Sequence, residues 1–313
     1  MRTTIMLALG VTLAACMPTE VGDDNSCNND QYMTVMHDIF VSSQDDVDAL
    51  PRTCFTVPMN TVTVRASQLT DLQALKNLKE TRRLIIESNS QLESTEGLNA
   101  NVTAEIIIED NDTLFEFSGT EATQVLDRVS IANNPRLTHI SGLANLKIIK
   151  GELNISGPSN IETLDRFDIL EGLGSLKVMN TTGIQSVALP LLKQVLTDVI
   201  IDGNENMTTL GRFGYLGEVG GHVHIQNNPV LLDTNGFTLK FQKIGGTLMV
   251  HNNAVLESVY DLQWVYTVGG SLIITWNPNL SRCRAEDMKN TVVEVGADVD
   301  VGDNSPLWEP CEP

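Results

Sequence analysis

The stretch IANNPRLTHI, Ile131 to Ile140, decides the fold of this 313-residue chain, because near-copies follow as IQNNPVLLDT from Ile225 and VHNNAVLESV from Val250. Take the apolar residue before each asparagine corner as position zero. Ten such residues then stand in line: Val64, Ile86, Ile108, Ile131, Ile155, Val178, Ile201, Ile225, Val250 and Ile274, at intervals of 22 to 25 residues. Two places earlier every unit is apolar again, from Val62 and Leu84 through to Leu248 and Leu272. Period two with one apolar face is the signature of a short, half-buried strand. Six places after zero an apolar residue returns, as in Leu92, Leu137, Met207 and Leu280, and twelve after zero stands a Leu or Phe such as Leu98, Phe167 or Phe213. A fixed period of this length marks a solenoid, in which no unit can bury its own inward face and stacking joins the units into one core.

Three places after zero the residue is Asn89, Asn111, Asn134, Asn204, Asn228, Asn253 or Asn277, with Ser67, Pro158 and Thr181 as exceptions. A corner leaves backbone N–H and C=O groups without strand partners. An inward Asn carries an acceptor and two donors, so it satisfies them and pairs with its copy in the next coil. The doublets in Val219–Gly221, Ile244–Gly246 and Val268–Gly270 read as turns before the next strand, where positive φ is expected. The expected fold is mostly β, a parallel β-helix or leucine-rich-repeat-like solenoid of about ten coils. Caps are required at both ends. One more strand is expected to end at Val41, followed by a short helix started by Ser43 with acids in its first turn. At the other end a short helix is expected around Ala285–Asn290, then a single last strand, 292–301, with Asp298, Asp300 and Asp303 guarding the edge.

The first residues, MRTTIMLALGVTLAAC, read as an export signal: one Arg precedes an apolar run too short to span a bilayer. Leu13-Ala14-Ala15-Cys16 resembles the lipobox of bacterial lipoproteins. That resemblance implies removal of residues 1–15, lipidation of Cys16, a tether over 16–26 and a folded domain over 27–313. Met17 follows the lipidated position, so an outer-membrane or cell-surface location is expected. Cys27, Cys54, Cys283 and Cys311 lie two near each end, in an exported chain. Three pairings are open, and the favoured one joins Cys27 to Cys54 and Cys283 to Cys311. The net charge is −20, from 20 basic and 40 acidic residues, which repels phosphate backbones and argues against nucleic acid as a partner.

The corner pattern, a following Gly-Leu-x-x-Leu and the closing segment NPNLSRC together resemble the receptor L domain. This is the leucine-rich-repeat-like ligand-binding module of the insulin and epidermal growth factor receptors. The resemblance covers about Cys27 to Cys311 and implies a right-handed β-helical solenoid with a disulfide near each end. The chain departs from that family in having more coils and in lacking the cysteine-rich modules and kinase of those receptors, so the hormone-binding role and its residues do not carry over.

No cofactor or metal motif accompanies the repeat. His222, His224 and His251 are expected on an outer strand face without the HExxH or carboxylate partners of a zinc site. Glu87 and Glu109 take the same outward position on adjacent coils, at about 4.8 Å, a spacing compatible with paired-carboxylate glycoside cleavage or with solvated surface charge. Coils of nearly constant length leave little room for the inserted loops from which a polysaccharide lyase or hydrolase builds its cleft. The outward position before zero turns apolar at both ends, as Ile85 and Ile107 and as Ile200, Met249 and Ile273. The candidate partner face is His224, Met249, His251, Ile273 and Trp276. The function expected is a lipid-anchored, non-enzymatic surface module that binds a protein or a glycan. The alternatives are a carbohydrate-active β-helix enzyme and a structural coat protein.

Overall fold

The computed structural model describes residues 32–66, 68–238 and 240–305. The signal segment, Cys16, Cys27, Ser67 and Cys311 lie outside the described residues. Among those described, the chain is mostly β and forms one long sheet of 19 strands, every pairing parallel. This is the arrangement expected of a β-solenoid. No described helix is long and apolar enough to cross a membrane.

The sheet runs as two ribbons. In the first, each zero residue pairs with the next: Val64 with Ile86, Ile86 with Ile108, Ile108 with Ile131, Ile131 with Ile155, and Ile155 with Val178. The same register continues through Ile201, Ile225, Val250 and Ile274. Val41 pairs with Val64, so the extra N-terminal strand stands where the spacing put it. The second ribbon stacks two-residue strands, Gln194–Val195, Glu218–Val219, Lys243–Ile244, Thr267–Val268 and Glu294–Val295. Long strands such as Ile148–Ser159 turn from one ribbon into the other and make them a single sheet. A third side carries isolated parallel bridges, including Ser94 to Glu116 to His139 and Thr209 to Asp233 to Ser258.

Inside, the apolar residues six and twelve after zero, such as Leu92, Leu98, Leu137, Leu143, Phe167 and Phe213, are buried, and Phe213, Phe237 and Phe241 stack with ring centroids 5.1 and 4.5 Å apart. The core is continuous along the stack because each coil supplies the same few positions to it.

The corner asparagines are buried at 0 or 1% exposure and form two hydrogen-bonded ladders. In the second, Asn204 donates Nδ2–H to Asn228 Oδ1 at 3.0 Å, Asn228 to Asn253 at 3.2 Å, Asn253 to Asn277 at 3.2 Å and Asn277 to Asn304 at 3.1 Å. Each Nδ2 also donates to the carbonyl of the zero residue one coil back, as from Asn228 to Ile201 O at 3.1 Å. Each Oδ1 accepts the backbone N–H of the preceding corner, as from Asn204 N at 3.0 Å. The first ladder joins Ala66 N, Asn89, Asn111 and Asn134 in the same way. Between the two the exception at Pro158 has a geometric cause. A register shift places Ser159, not Pro158, opposite Asn134, and the buried Ser159 Oγ has no hydrogen-bond partner.

One expectation about the glycines is corrected. Gly220, Gly245 and Gly269 are not at positive φ. They are small because a Cβ on Gly245 would lie 2.1 Å from Gly220 O, and one on Gly269 2.2 Å from Gly245 O. Positive φ falls instead two places after zero, at Ser88, Asp110, Asn133, Gly157, Asn180, Gly203, Asn227, Asn252, Trp276 and Asp303, with φ between 52° and 71°. This explains the doublet: the first Asn tolerates the left-handed backbone and the second fills the ladder.

At the N-terminal end, α1 (Gln44–Asp48) is capped by Ser43, whose side chain accepts from Asp46 N while Asp46 reaches back to Ser43 N. Burial would raise the Asp46 carboxyl, but hydrogen bonds from Ser42 and Ser43 outweigh it and hold the pKa below the usual carboxylate value. At the C-terminal end, α2 (Arg282–Thr291) is longer than expected. The single last strand expected over 292–301 is two strands instead, Glu294–Val295 and Val299–Asp300, one in each ribbon. Gly296 makes the same close turn as its predecessors, with a Cβ there 2.0 Å from Gly269 O, so the chain steps from ribbon to ribbon rather than running straight. Cys54 and Cys283 each take part in a disulfide.

Candidate binding face

The first ribbon turns its zero residues inward, so the residues on either side of each point outward and stack in columns. Register puts His224, Met249 and Ile273 on three consecutive strands of one column, with Ile200 before them. All four are half-buried. His251 lies one column over, paired with Gln226 and Thr275, and its Nδ1 is 2.9 Å from Thr275 Oγ1. Trp276 closes the patch at the corner, 59% exposed and at φ 60°. Four of the five expected residues thus lie on neighbouring strands of one sheet, with Trp276 at the corner that follows.

His222, just before its strand, sits beside His224 with ring centroids 5.5 Å apart. Its ring Nδ1 accepts a hydrogen bond from Thr247 N at 3.0 Å, and its backbone N–H donates to Asp198 Oδ1 at 2.7 Å. Burial lowers the His224 pKa, and the neighbouring His222 lowers it further against the opposing pull of Asp198 and Asp202. His224 is therefore held towards its neutral form. Among the described residues no group of three or more His, Cys, Asp or Glu is placed to hold a metal ion.

The middle of the face is polar and internally paired. Glu105 lies 3.8 Å from Arg83 and 3.9 Å from Arg128, and Lys177 lies 2.6 Å from Glu152. Glu87 and Glu109 do occupy adjacent positions in one column. Each has its own partner: Glu87 is 3.9 Å from Arg65, and Ser130 Oγ donates to Glu109 at 2.6 Å. The N-terminal apolar cluster is not open in the way its sequence suggests, since Ile107 is only 7% exposed. Around Met249 the column stays partly exposed over Ile200, His224, Met249 and Ile273.

Sequence reasoning passed over a set of rings on the second ribbon. Tyr215, Lys240 and Trp264 follow one another on consecutive coils, given the pairing of Glu218, Lys243 and Thr267, and Lys240 Nζ lies 3.9 Å from the Tyr215 ring centroid. Tyr260, Trp264 and Tyr266 are exposed by 64, 41 and 60%. Their signal was present in the residues just before each second-ribbon strand, as in YLGEV and WVYTV, but the corner-based alignment weighed only the first ribbon. No family model, no curated protein and no solved structure matches the chain.

Proposed function

We propose that this chain is a lipid-anchored, non-enzymatic recognition module of a bacterial cell surface, presenting the face of a right-handed solenoid of about ten coils to a protein or glycan. The reading includes lipidation at Cys16, an outer-membrane or surface location, and caps tied by Cys27–Cys54 and Cys283–Cys311 in the manner of a receptor L domain. The observation that carries it is the column His224–Met249–Ile273, half-buried on three consecutive strands and flanked by His251 and the exposed Trp276. Contiguous apolar surface on a rigid sheet marks a contact site better than scattered exposed residues do. The separate pairing of Glu87 and Glu109 weighs against a carbohydrate-cleaving site there.

The test is crosslinking on intact cells carrying a tagged chain, with captured partners identified by mass spectrometry. A specific partner should be captured by the parent and lost from Met249→Ser combined with Ile273→Ser, at unchanged protein level. Capture that is identical with and without the substitutions removes this face from consideration.

A further inference from the structure

The 3-10 turn Tyr260–Trp264 and α2 lie against each other near the C-terminal end and enclose a cavity of about 450 Å³. Its size falls within the range of small-molecule sites. The floor is apolar, from Val259 and Met288, which are 3 and 2% exposed. The rim is not: Tyr260 brings an exposed ring, and Arg284 and Asp287 bring one charge of each sign from the same side of α2. Arg284 is steadied by a hydrogen bond from its guanidinium to Glu257 O. Gln263 also lines the cavity, with its Nε2 closed off from solvent.

We infer that this cavity binds a pyranose unit of an uncharged glycan. The inference rests on the reading of the chain as a binding module and adds a second site to it, with a stated ligand class. A sugar ring is amphipathic: its C–H face packs on an aromatic ring or an apolar floor, while its hydroxyls both donate and accept. Tyr260, Val259 and Met288 provide the first kind of contact. The carboxylate of Asp287 accepts and the guanidinium of Arg284 donates. The two rim charges cancel, so the site asks for no net charge on its ligand, and the −20 of the whole chain disfavours an acidic glycan. The rings beyond the rim fit an extended ligand. Trp264 ends the turn that carries Tyr260, and Lys240 and Tyr215 continue along the coils from it. Further sugar units leaving the cavity would meet the exposed Trp264 and then the Lys240 ammonium over Tyr215.

The experiment is saturation-transfer NMR on the full chain with cellobiose, maltose, lactose, mannobiose and chitobiose as probes, followed by titration of any that respond. At least one is expected to bind. Tyr260→Ala and Asp287→Ala, both at exposed positions, should each weaken it by roughly tenfold, the worth of one good contact, with the melting temperature unchanged. Silence from all five sugars, or binding that survives both substitutions, overturns the inference. The sheet-face variant Met249→Ser with Ile273→Ser should bind the sugar as the parent does. Loss of partner capture and loss of sugar binding therefore report on the two sites separately.

Discussion

Replacing Asn228 by Ala tests the corner ladder at its centre. The side chain donates to Ile201 O at 3.1 Å, Gln226 O at 2.8 Å and Asn253 Oδ1 at 3.2 Å, and it accepts from Asn204 N and Nδ2 at 3.0 Å each. Alanine removes all of this at a site with 0% exposure. Asn204 Nδ2 keeps Val178 O and Asn253 Oδ1 keeps Asn228 N, so neither is stranded. Asn204 N loses its partner, and Ile201 O loses a donor that water cannot replace. Leaving two such groups short at about 1–3 kcal/mol each predicts a loss of about 2–6 kcal/mol. Urea unfolding followed by circular dichroism gives the total, and amide exchange localises it, because stability in a stacked array is carried by neighbouring units. The Asn204 amide should lose protection far more than the amides of the first ladder. A midpoint shift worth less than about 1 kcal/mol, or exchange that rises equally in both ladders, would refute the view that the ladder holds the corners.

Two further expectations follow from the corners and the face. Gly245→Ala should destabilise by several kcal/mol, read as a lowered urea midpoint, because its Cβ would lie 2.1 Å from Gly220 O on the coil beneath; a neutral result would mean that the coils separate easily there. The depressed pKa of His224 means that the unfolded chain takes up this proton first as pH falls. Its contribution is therefore complete above the unfolded value of about 6.5 and is lost as pH drops through the lower folded value. His224→Gln should flatten that part of the stability profile, measured as urea midpoints between roughly pH 7.5 and 5; an unchanged slope would assign it to another group.

The first ribbon was legible in the sequence almost residue by residue, because inward side chains of a repeated coil must be apolar at fixed positions and nothing else sets their spacing. The asparagine ladder was legible for the same reason: a buried amide has few chemical substitutes. The left-handed corner residue was not, since Ser88, Asp110, Asn180 and even Trp276 all adopt it, and the register of the coil imposes that backbone whatever stands there. The glycine pairs were read as conformational when their cause is contact with the coil beneath, a distance that no single unit contains. The bulge at Ser159 was hidden because one added residue changes the register without changing the apolar pattern. Among the candidate residues, the pairing of columns was predictable from the repeat. The cover over Ile107 and the cavity beside α2 depend on how side chains and the C-terminal helix pack.

Every amide in the two ladders points the same way, with its NH2 end towards the following coil and its oxygen towards the preceding one. Strand peptides point alternately up and down the stack and largely cancel along it, so these side chains give the solenoid an electrical direction. Hydrogen-bonded amides in a row also polarise one another. The second ladder ends with its positive pole at Asn304, and the exposed acids Asp298, Asp300 and Asp303 stand at that same end. The acidic cap therefore has the sign that an aligned column of dipoles favours, as an acidic residue does at the start of a helix. A stack of this kind has a head and a tail in its field as well as in its chain.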